Sequence, residues 1–340
     1  MKITLIILSL MLSAANLVLA QRTCGAMEVY HNQIIKDSLF RSNRRIINTL
    51  YERYKLNHSN KKLQALDITI PVVVHVVYNK SEQKISLEQV ASQIKSMNED
   101  YAAINVDIKN VPPSFKSIVA KEQGISFKLA LRDPNGNPTT RVEYIQTTSD
   151  GFDTNENVKF KKLGGADAWP ATQYLNLWVC NLQGGLLGYA QFPGGAAATD
   201  GVVINYIAFG SQGSAKAPYD KGRTVTHEVG HWLDLFHIWG DDNTACTGSD
   251  EMNDTPNQAG PNFGCPTYPH VSCNNGPNGD LFMNYMDYVD DACMVMFSTD
   301  QAIRIRSTLQ NVRTGFGSSP GLIDPQLKLQ STKDESLKLY

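Results

Sequence analysis

The chain has 340 residues, enough for two domains of ordinary size or one large domain with extensions. Its 31 basic and 33 acidic residues nearly cancel, which argues against a basic nucleic-acid groove and against a charged tail. Hydrophobic residues at 42% and charged residues at 19% exclude wholesale disorder, and no collagen-like, heptad or solenoid repeat is visible.

Residues 1–20, MKITLIILSLMLSAANLVLA, carry Lys2 as their only charge and an apolar run too short to span a bilayer comfortably. They read as a secretory signal peptide cut after Ala20, the alternative being an uncleaved N-terminal anchor. No later stretch could span a membrane, so the expected mature protein is secreted, soluble and free to form disulfides. Residues 21–66 hold many of the Lys, Arg and Asn residues, with helical periodicity through Ile34, Ile35, Leu39, Ile46, Ile47 and Leu50. They read as a small helical prosegment ahead of a separate domain, residues 67–317. Residues 318–340, with Pro320 and Pro325, read as a polar tail.

Ile68–Tyr78 is a β-branched apolar run and predicts a mostly buried strand. Ser86 and Gln89 match a capping box, followed at helical spacing by Val90, Ile94, Met97 and Tyr101. A strand over Ser126–Leu131 stops at the turn Asp133-Pro-Asn-Gly136, and Tyr174–Leu182 and Gly201–Ile207 predict two more. This order of elements is that of an α+β or α/β sheet domain. From Gly240 to Tyr285 the chain is rich in Asn, Asp, Gly and Pro with little periodicity. So long a structureless stretch needs metal ions or disulfides to hold it.

Three of the seven histidines fall within His227-Glu228-Val-Gly-His231-Trp-Leu-Asp-Leu-Phe-His237. On a helix His227 and His231 project from one face, one turn apart, the spacing two imidazoles need to bind one Zn²⁺. Glu228 lies beside them, placed to take a proton from water activated by the metal. His237 would stand about 9 Å further up a continuous helix, on another face. It reaches the same metal only if the chain turns sharply at Asp234, a residue type that tolerates a left-handed backbone less comfortably than glycine.

HExxHxxxxxH resembles the metzincin zinc metalloproteases, with Asp234 where most have Gly, and Phe282-Met-Asn-Tyr-Met-Asp-Tyr288 resembles their Met-turn. Together with Cys246, Cys265, Cys273 and Cys293, the pattern is similar to the pappalysin family, including ulilysin-like microbial enzymes. The resemblance implies an α+β fold: a twisted mixed sheet, a backing helix, an active-site helix and an irregular C-terminal subdomain. It places Met286 beneath the metal, Tyr288 near it as an oxyanion donor, and Asp291 in a substrate pocket that receives Arg or Lys on the carboxyl side of the cut bond. Met283 and Tyr285 form a competing Met-x-Tyr pair. The implied disulfides are Cys246–Cys273 and Cys265–Cys293, one of three pairings that four cysteines allow. Cys24 resembles the zymogen cysteine switch, a thiolate that holds the metal in the latent form; the alternative is a Cys24–Cys180 disulfide, although Cys180 lies in an apolar strand and reads as a buried free thiol. Asp250, Thr255 and the carbonyl of Asn253 are candidate Ca²⁺ ligands, hard oxygens in a loop, against an Asx-rich turn that needs no ion.

The reading is a secreted zinc endopeptidase made as a zymogen, with protein or peptide substrates and an activating protease. Residues around Gly188–Gly195 are expected to form a rim that holds the substrate by strand addition. The competing reading is a secreted zinc-stabilised binding protein without catalysis, and a third is a zinc hydrolase of a non-peptide bond.

Overall fold

The computed structural model describes residues 21–58, 66–121, 123–242 and 244–326. The signal peptide expected over residues 1–20 lies outside the described residues. Helices α1 (Ala26–Lys36) and α2 (Ser38–His58) come first. Strand β1 (Ile68–Tyr78) is followed by helix α3 (Leu87–Tyr101), then β2 (Ile125–Leu129), β3 (Val142–Gln146), β4 (Leu175–Cys180), β5 (Gly188–Ala190) and β6 (Val202–Asn205). Helices α4 (Arg223–Trp232) and α5 (Thr299–Asn311) complete the set. No helix among the described residues is long and apolar enough to cross a membrane.

The sheet is mixed, with order β2-β1-β4-β6-β5 and β3 beside β1. β1 is its axis: Ile68–Val72 pair with β2, Val74–Tyr78 pair with β3, and Val72–Val76 pair with β4, all parallel. Short β5 runs antiparallel to β6 at the edge. The continuous apolar run of β1 follows from burial of both faces. Ile70, Val72, Val74 and Val76 pack with Val90 and Met97 of α3 and Val225 and Val229 of α4. Val73 packs with Trp169 and Tyr174, and Val77 with Trp178 and Cys180. Ser86 caps α3 as its spacing predicts, its hydroxyl accepting from the Gln89 amide at 3.2 Å.

Residues 240–285 contain no helix or strand among the described positions, and two disulfides hold this region. Cys246–Cys273 and Cys265–Cys293 close with Cα–Cα distances of 5.5 and 5.7 Å. Cys24 and Cys180 are free thiols, so the structure does not contain the alternative Cys24–Cys180 bridge.

Two expectations shift. In the leading helices the buried stripe is Phe40, Arg44, Ile47, Tyr51 and Tyr54, whereas Ile35, Leu39 and Ile46 are exposed. Periodicity named the helices and placed Ile47 inside, but it missed the aromatic and arginine positions of the buried stripe. The polar tail also does not begin at Ser318. Gly321 packs on Tyr174 and Pro71, the Leu131 amide donates to the Gly321 carbonyl at 2.8 Å, and Arg132 donates to the carbonyls of Ile323 and Asp324. Residues 327–340 lie outside the described residues.

Loops of 27 and 28 residues closed by disulfides stabilise by about 3 kcal/mol each, through the unfolded chain. The double variant Cys246→Ser/Cys273→Ser is expected to lose about that much in urea unfolding while β1–β6 keep their circular-dichroism signature.

Candidate metal centre

Helix α4 is buried along its whole length. Arg223 at its start forms ion pairs with Asp100 and Asp107, the latter at 3.0 Å. One turn on, Thr226 donates to Asp100 at 2.6 Å, and the Thr226 carbonyl accepts from Tyr101 at 3.2 Å. These contacts tie α4 to α3 and fix the direction of the next residues, His227 and His231.

The two imidazoles face each other with their Nε2 atoms 3.1 Å apart, and His237 Nε2 lies 3.1 Å from His231 Nε2. Each ring's other nitrogen has an acceptor. His227 Nδ1 meets the Tyr285 carbonyl and His231 Nδ1 the Leu235 carbonyl, both at 2.7 Å, while His237 Nδ1 meets the Asp241 carboxylate at 2.8 Å. Protons on Nδ1 leave three Nε2 lone pairs pointing into one small buried volume. Burial first, then the neighbouring histidines, push His227 and His231 well below the ordinary histidine pKa, which keeps them neutral. A set of converging lone pairs with anchored backs is the donor arrangement of a tetrahedral Zn²⁺ site. The Cys24 sulfur completes it: all four ligand atoms lie within 4.8 Å of one another.

Asp234 makes the turn that brings His237 back, at φ +83° and fully buried. An L-residue in this region costs about 1–2 kcal/mol relative to a right-handed backbone. Here the side chain offsets that cost: its Oδ2 accepts from Arg304 Nε of α5 at 3.0 Å, and its Oδ1 meets Arg44 of α2 at 2.5 Å. The turn is closed by the Leu235 amide on the Gly230 carbonyl at 2.9 Å. Leu235 then supplies the acceptor for His231, so one turn serves two ligands.

Met286 is buried under α4; its sulfur leaves no room for a Cβ at Gly230, only 2.5 Å away. Tyr288 lies beside the centre, its ring 4.9 Å from that of His237, and its hydroxyl 3.5 Å from the Cys24 carbonyl. Burial first, then Cys24 and Glu228, push its phenol well above the usual value, so it stays a donor. The competing pair has other contacts: the Tyr285 carbonyl accepts from His227 and its hydroxyl accepts from Arg223, and Met283 is a plain core residue.

Glu228 is buried, and burial pushes its carboxyl up to about 8 against the opposing pull of Cys24 and Arg22. The Cys24 thiol donates to it at 3.4 Å. Gly188 of β5 stands against it; a Cβ there would meet Glu228 Cγ at 2.9 Å. The leading segment lies along β5 as a parallel strand: the Gly25 amide donates to the Gly188 carbonyl at 2.9 Å and the Leu187 amide to the Thr23 carbonyl at 3.0 Å. Two residues before Cys24, Arg22 enters a pocket whose floor is Asp291. Its Nη2 meets Asp291 Oδ1 at 2.5 Å, Nη1 the Thr224 hydroxyl at 3.0 Å and Nε the Val289 carbonyl at 3.3 Å, with the Tyr219 ring 5.0 Å away. Beyond it lies a cavity of about 940 Å³ lined by Thr23, Tyr219, Phe263 and Tyr288.

Asp250, Asn253 and Thr255 share one loop. Asp250 accepts from the Thr255 hydroxyl at 2.8 Å and the Met252 amide at 3.0 Å; Asn253 donates its amide to Asp300 at 3.0 Å. Among the described residues the Cys24–His227–His231–His237 group is the one convergence of three or more His, Cys, Asp or Glu ligands. Asp241, Arg22 and Arg44 were not singled out from the sequence. Asp241 lies four residues past His237, a spacing that could have flagged it; the two arginines carry no local signal.

The peptidase M43 family, described as pregnancy-associated plasma protein-A, matches residues 159–310. An extracellular metalloprotease of Coccidioides posadasii is 33% identical over 263 residues, covering 73% of this chain and 81% of the relative. The chain belongs to this family. It is a metzincin zinc metalloendopeptidase of the pappalysin group with the α+β fold its motifs imply. Mature mirolysin of Tannerella forsythia in complex with a cleaved peptide is 50% identical, covering 78% of this chain and all of that one, with a TM-score of 0.73. A promirolysin mutant from the same organism is 46% identical, covering 91% of this chain and all of that one, with a TM-score of 0.78. The added coverage in the pro-form agrees with a zymogen layout.

Asp241→Asn is expected to weaken Zn²⁺ binding by roughly 10–100-fold, read by competition with a chelator, because the neutral amide no longer fixes the His237 tautomer.

Proposed function

We propose that this protein is a secreted endopeptidase zymogen in which residues 21 to about 66 block the cleft and residues 67 to about 317 carry catalysis. The observation that carries this reading is the Cys24 sulfur on the three-histidine centre, beside Glu228, with Arg22 two residues away on Asp291. In it, residues 1–20 are the signal peptide, and another protease cuts between α2 and β1 to release the leading segment. Zinc, when bound, acidifies water and polarises the scissile carbonyl. Glu228 takes the proton of the attacking water and passes it to the leaving amine. The raised position of its carboxyl suits a group that must hold and return a proton. Tyr288 donates its phenolic proton as a hydrogen bond to the oxyanion, and Met286 is the apolar floor. Gly188–Ala190 holds the substrate as an added strand, the contact Thr23–Gly25 makes in the latent chain.

Cleavage before Arg or Lys follows from Asp291. Arg22 already fills that pocket with one acceptor for each of its three nitrogens, so the latent chain supplies an image of the preferred side chain. The parallel run of Thr23–Gly25 along β5 and the thiol on the metal explain why this stretch is a plug. We further propose that Ca²⁺ binds at the Asp250–Thr255 loop. Burial pushes Asp250 up to about 7 and also raises Asp254, an unfavourable setting for two neighbouring carboxylates that a cation would relieve.

Glu228→Ala is expected to retain zinc and fold yet cleave no peptide after trimming; undiminished cleavage would remove Glu228 from the mechanism. Asp291→Asn should cut the preference for Arg over a neutral residue after the scissile bond by roughly 10²-fold or more, because the cation is left without its buried partner. Cys24→Ala should give the untrimmed chain measurable activity, where the parent has none. For Asp250, whose folded value lies above its unfolded one, stability is fully present below about pH 4 and lost as pH rises through about 7. The rise in Tm on adding Ca²⁺ should therefore grow between pH 5 and pH 8; a pH-independent or absent rise would argue for a loop that needs no ion.

A further inference from the structure

Asp234 does more than turn the chain. It sits at the C-terminal end of α4, whereas Asp291 accepts from the Lys221 and Arg223 amides at the N-terminal end. In the latent chain each of these buried carboxylates holds one arginine of the leading segment: Arg22 on Asp291 and Arg44 on Asp234. The Arg44 guanidinium is 5.5 Å from the Phe192 ring centre and 6.0 Å from that of Phe236, and its Nη1 also donates to the Pro193 carbonyl at 3.3 Å. Phe192 lies two residues past the end of the rim strand β5, and its ring lies 5.3 Å from that of His231. The seat therefore borders the reacting centre.

Asp234 offers one oxygen to each of two arginines: Oδ2 pairs with Arg304, which also meets the partly exposed Glu251, and Oδ1 pairs with Arg44. The fit to Arg44 is incomplete, since its Nε and Nη2 find no hydrogen-bond partner. Loss of α2 removes Arg44, together with the Asn48 and Tyr51 contacts on Arg304. What stays behind is a carboxylate, a carbonyl acceptor and two aromatic faces, the elements that recognise a guanidinium.

We propose that in the trimmed enzyme Asp234, Pro193, Phe192 and Phe236 form a second arginine subsite, which takes a basic side chain of the substrate on the amino-terminal side of the scissile bond. Residues 22–25 run from the Asp291 pocket past the metal centre, and the helices then cover the other end of α4. The two seats thus flank the cut, and a substrate with arginines on both sides occupies both. This rests on the reading of residues 21 to about 66 as a removable prosegment.

The test uses the full chain, zinc-loaded and trimmed after folding, with peptides that share one X–Arg scissile bond. Arginine and its neutral isostere citrulline are placed in turn at each position before that bond. One position should favour arginine by roughly tenfold or more in kcat/KM, mainly through KM, the size expected for a desolvated charge pair. That ratio should fall to near one in both Asp234→Gly and Asp234→Asn. Glycine suits φ +83° and asparagine tolerates it, so both remove the charge while retaining the turn. Fluorescence anisotropy with the same peptides on trimmed Glu228→Ala reads the seat without catalysis. A flat profile in the parent, or a ratio that survives both Asp234 variants, overturns the second subsite. If the trimmed parent cleaves nothing while trimmed Glu228→Ala still binds the arginine peptides better, the protease reading fails and the subsite stands.

Discussion

Three neutral imidazole nitrogens share a point in a dry interior only when a cation can sit between them. Much of this protein is arranged to enforce that meeting. Burial keeps His227 and His231 neutral, and the Tyr285 carbonyl, the Leu235 carbonyl and the Asp241 carboxylate each face the Nδ1 of one ring and leave its Nε2 to the centre. The helix must end after Trp232 and the chain must reverse, which Asp234 accomplishes at a left-handed backbone. The floor must come close, which Met286 does because position 230 has no side chain. The mixed sheet and α3 act behind this as a rigid support, through Arg223, Thr226 and their acidic partners on and after α3.

The same construction accounts for the latent state. The Cys24 sulfur lies among the three imidazole nitrogens and beside the Glu228 carboxyl. Around it the leading segment covers further features of the cleft: an edge strand receives Thr23–Gly25, Asp291 receives Arg22, and Asp234, which also pairs with Arg304, receives Arg44. Isolated buried carboxylates are costly unless they are paired. The prosegment is therefore held by charges that the cleft otherwise has to leave to solvent or substrate.

The strands over 68–78, 174–182 and 201–207 and the helix after Ser86 were legible because their patterns are long or carry a cap. β3 escaped notice, and β5 was anticipated only as part of a rim around Gly188–Gly195. β5 has three residues, Gly188, Tyr189 and Ala190, with no alternation to detect, and it is a strand only because β6 pairs with it. The inward face of α2 was read only in part: Ile47 is buried, but Arg44 is a charged residue at a core position, and hydrophobic periodicity cannot anticipate a partner such as Asp234. The last segment read as tail from Ser318 because it is polar, yet its backbone groups bond to Leu131 and Arg132.

By itself the amino-acid sequence determined the chemistry: His227, Glu228, His231 and His237 lie within one helix and one turn, where local periodicity and backbone preference decide geometry. The resemblance carried by that motif also extended to Met286, Tyr288 and the four cysteines. Only the tertiary structure decided what surrounds the centre. Arg22 meets Asp291 across 269 positions and Cys24 meets Glu228 across 204; no spacing rule connects residues so far apart. Such pairs exist because the sheet brings β5 to the flank of α4 and leaves an edge on which an extended segment lies. Which carboxylates stay buried, and which arginines neutralise them, is then settled by the packing of that segment over the cleft.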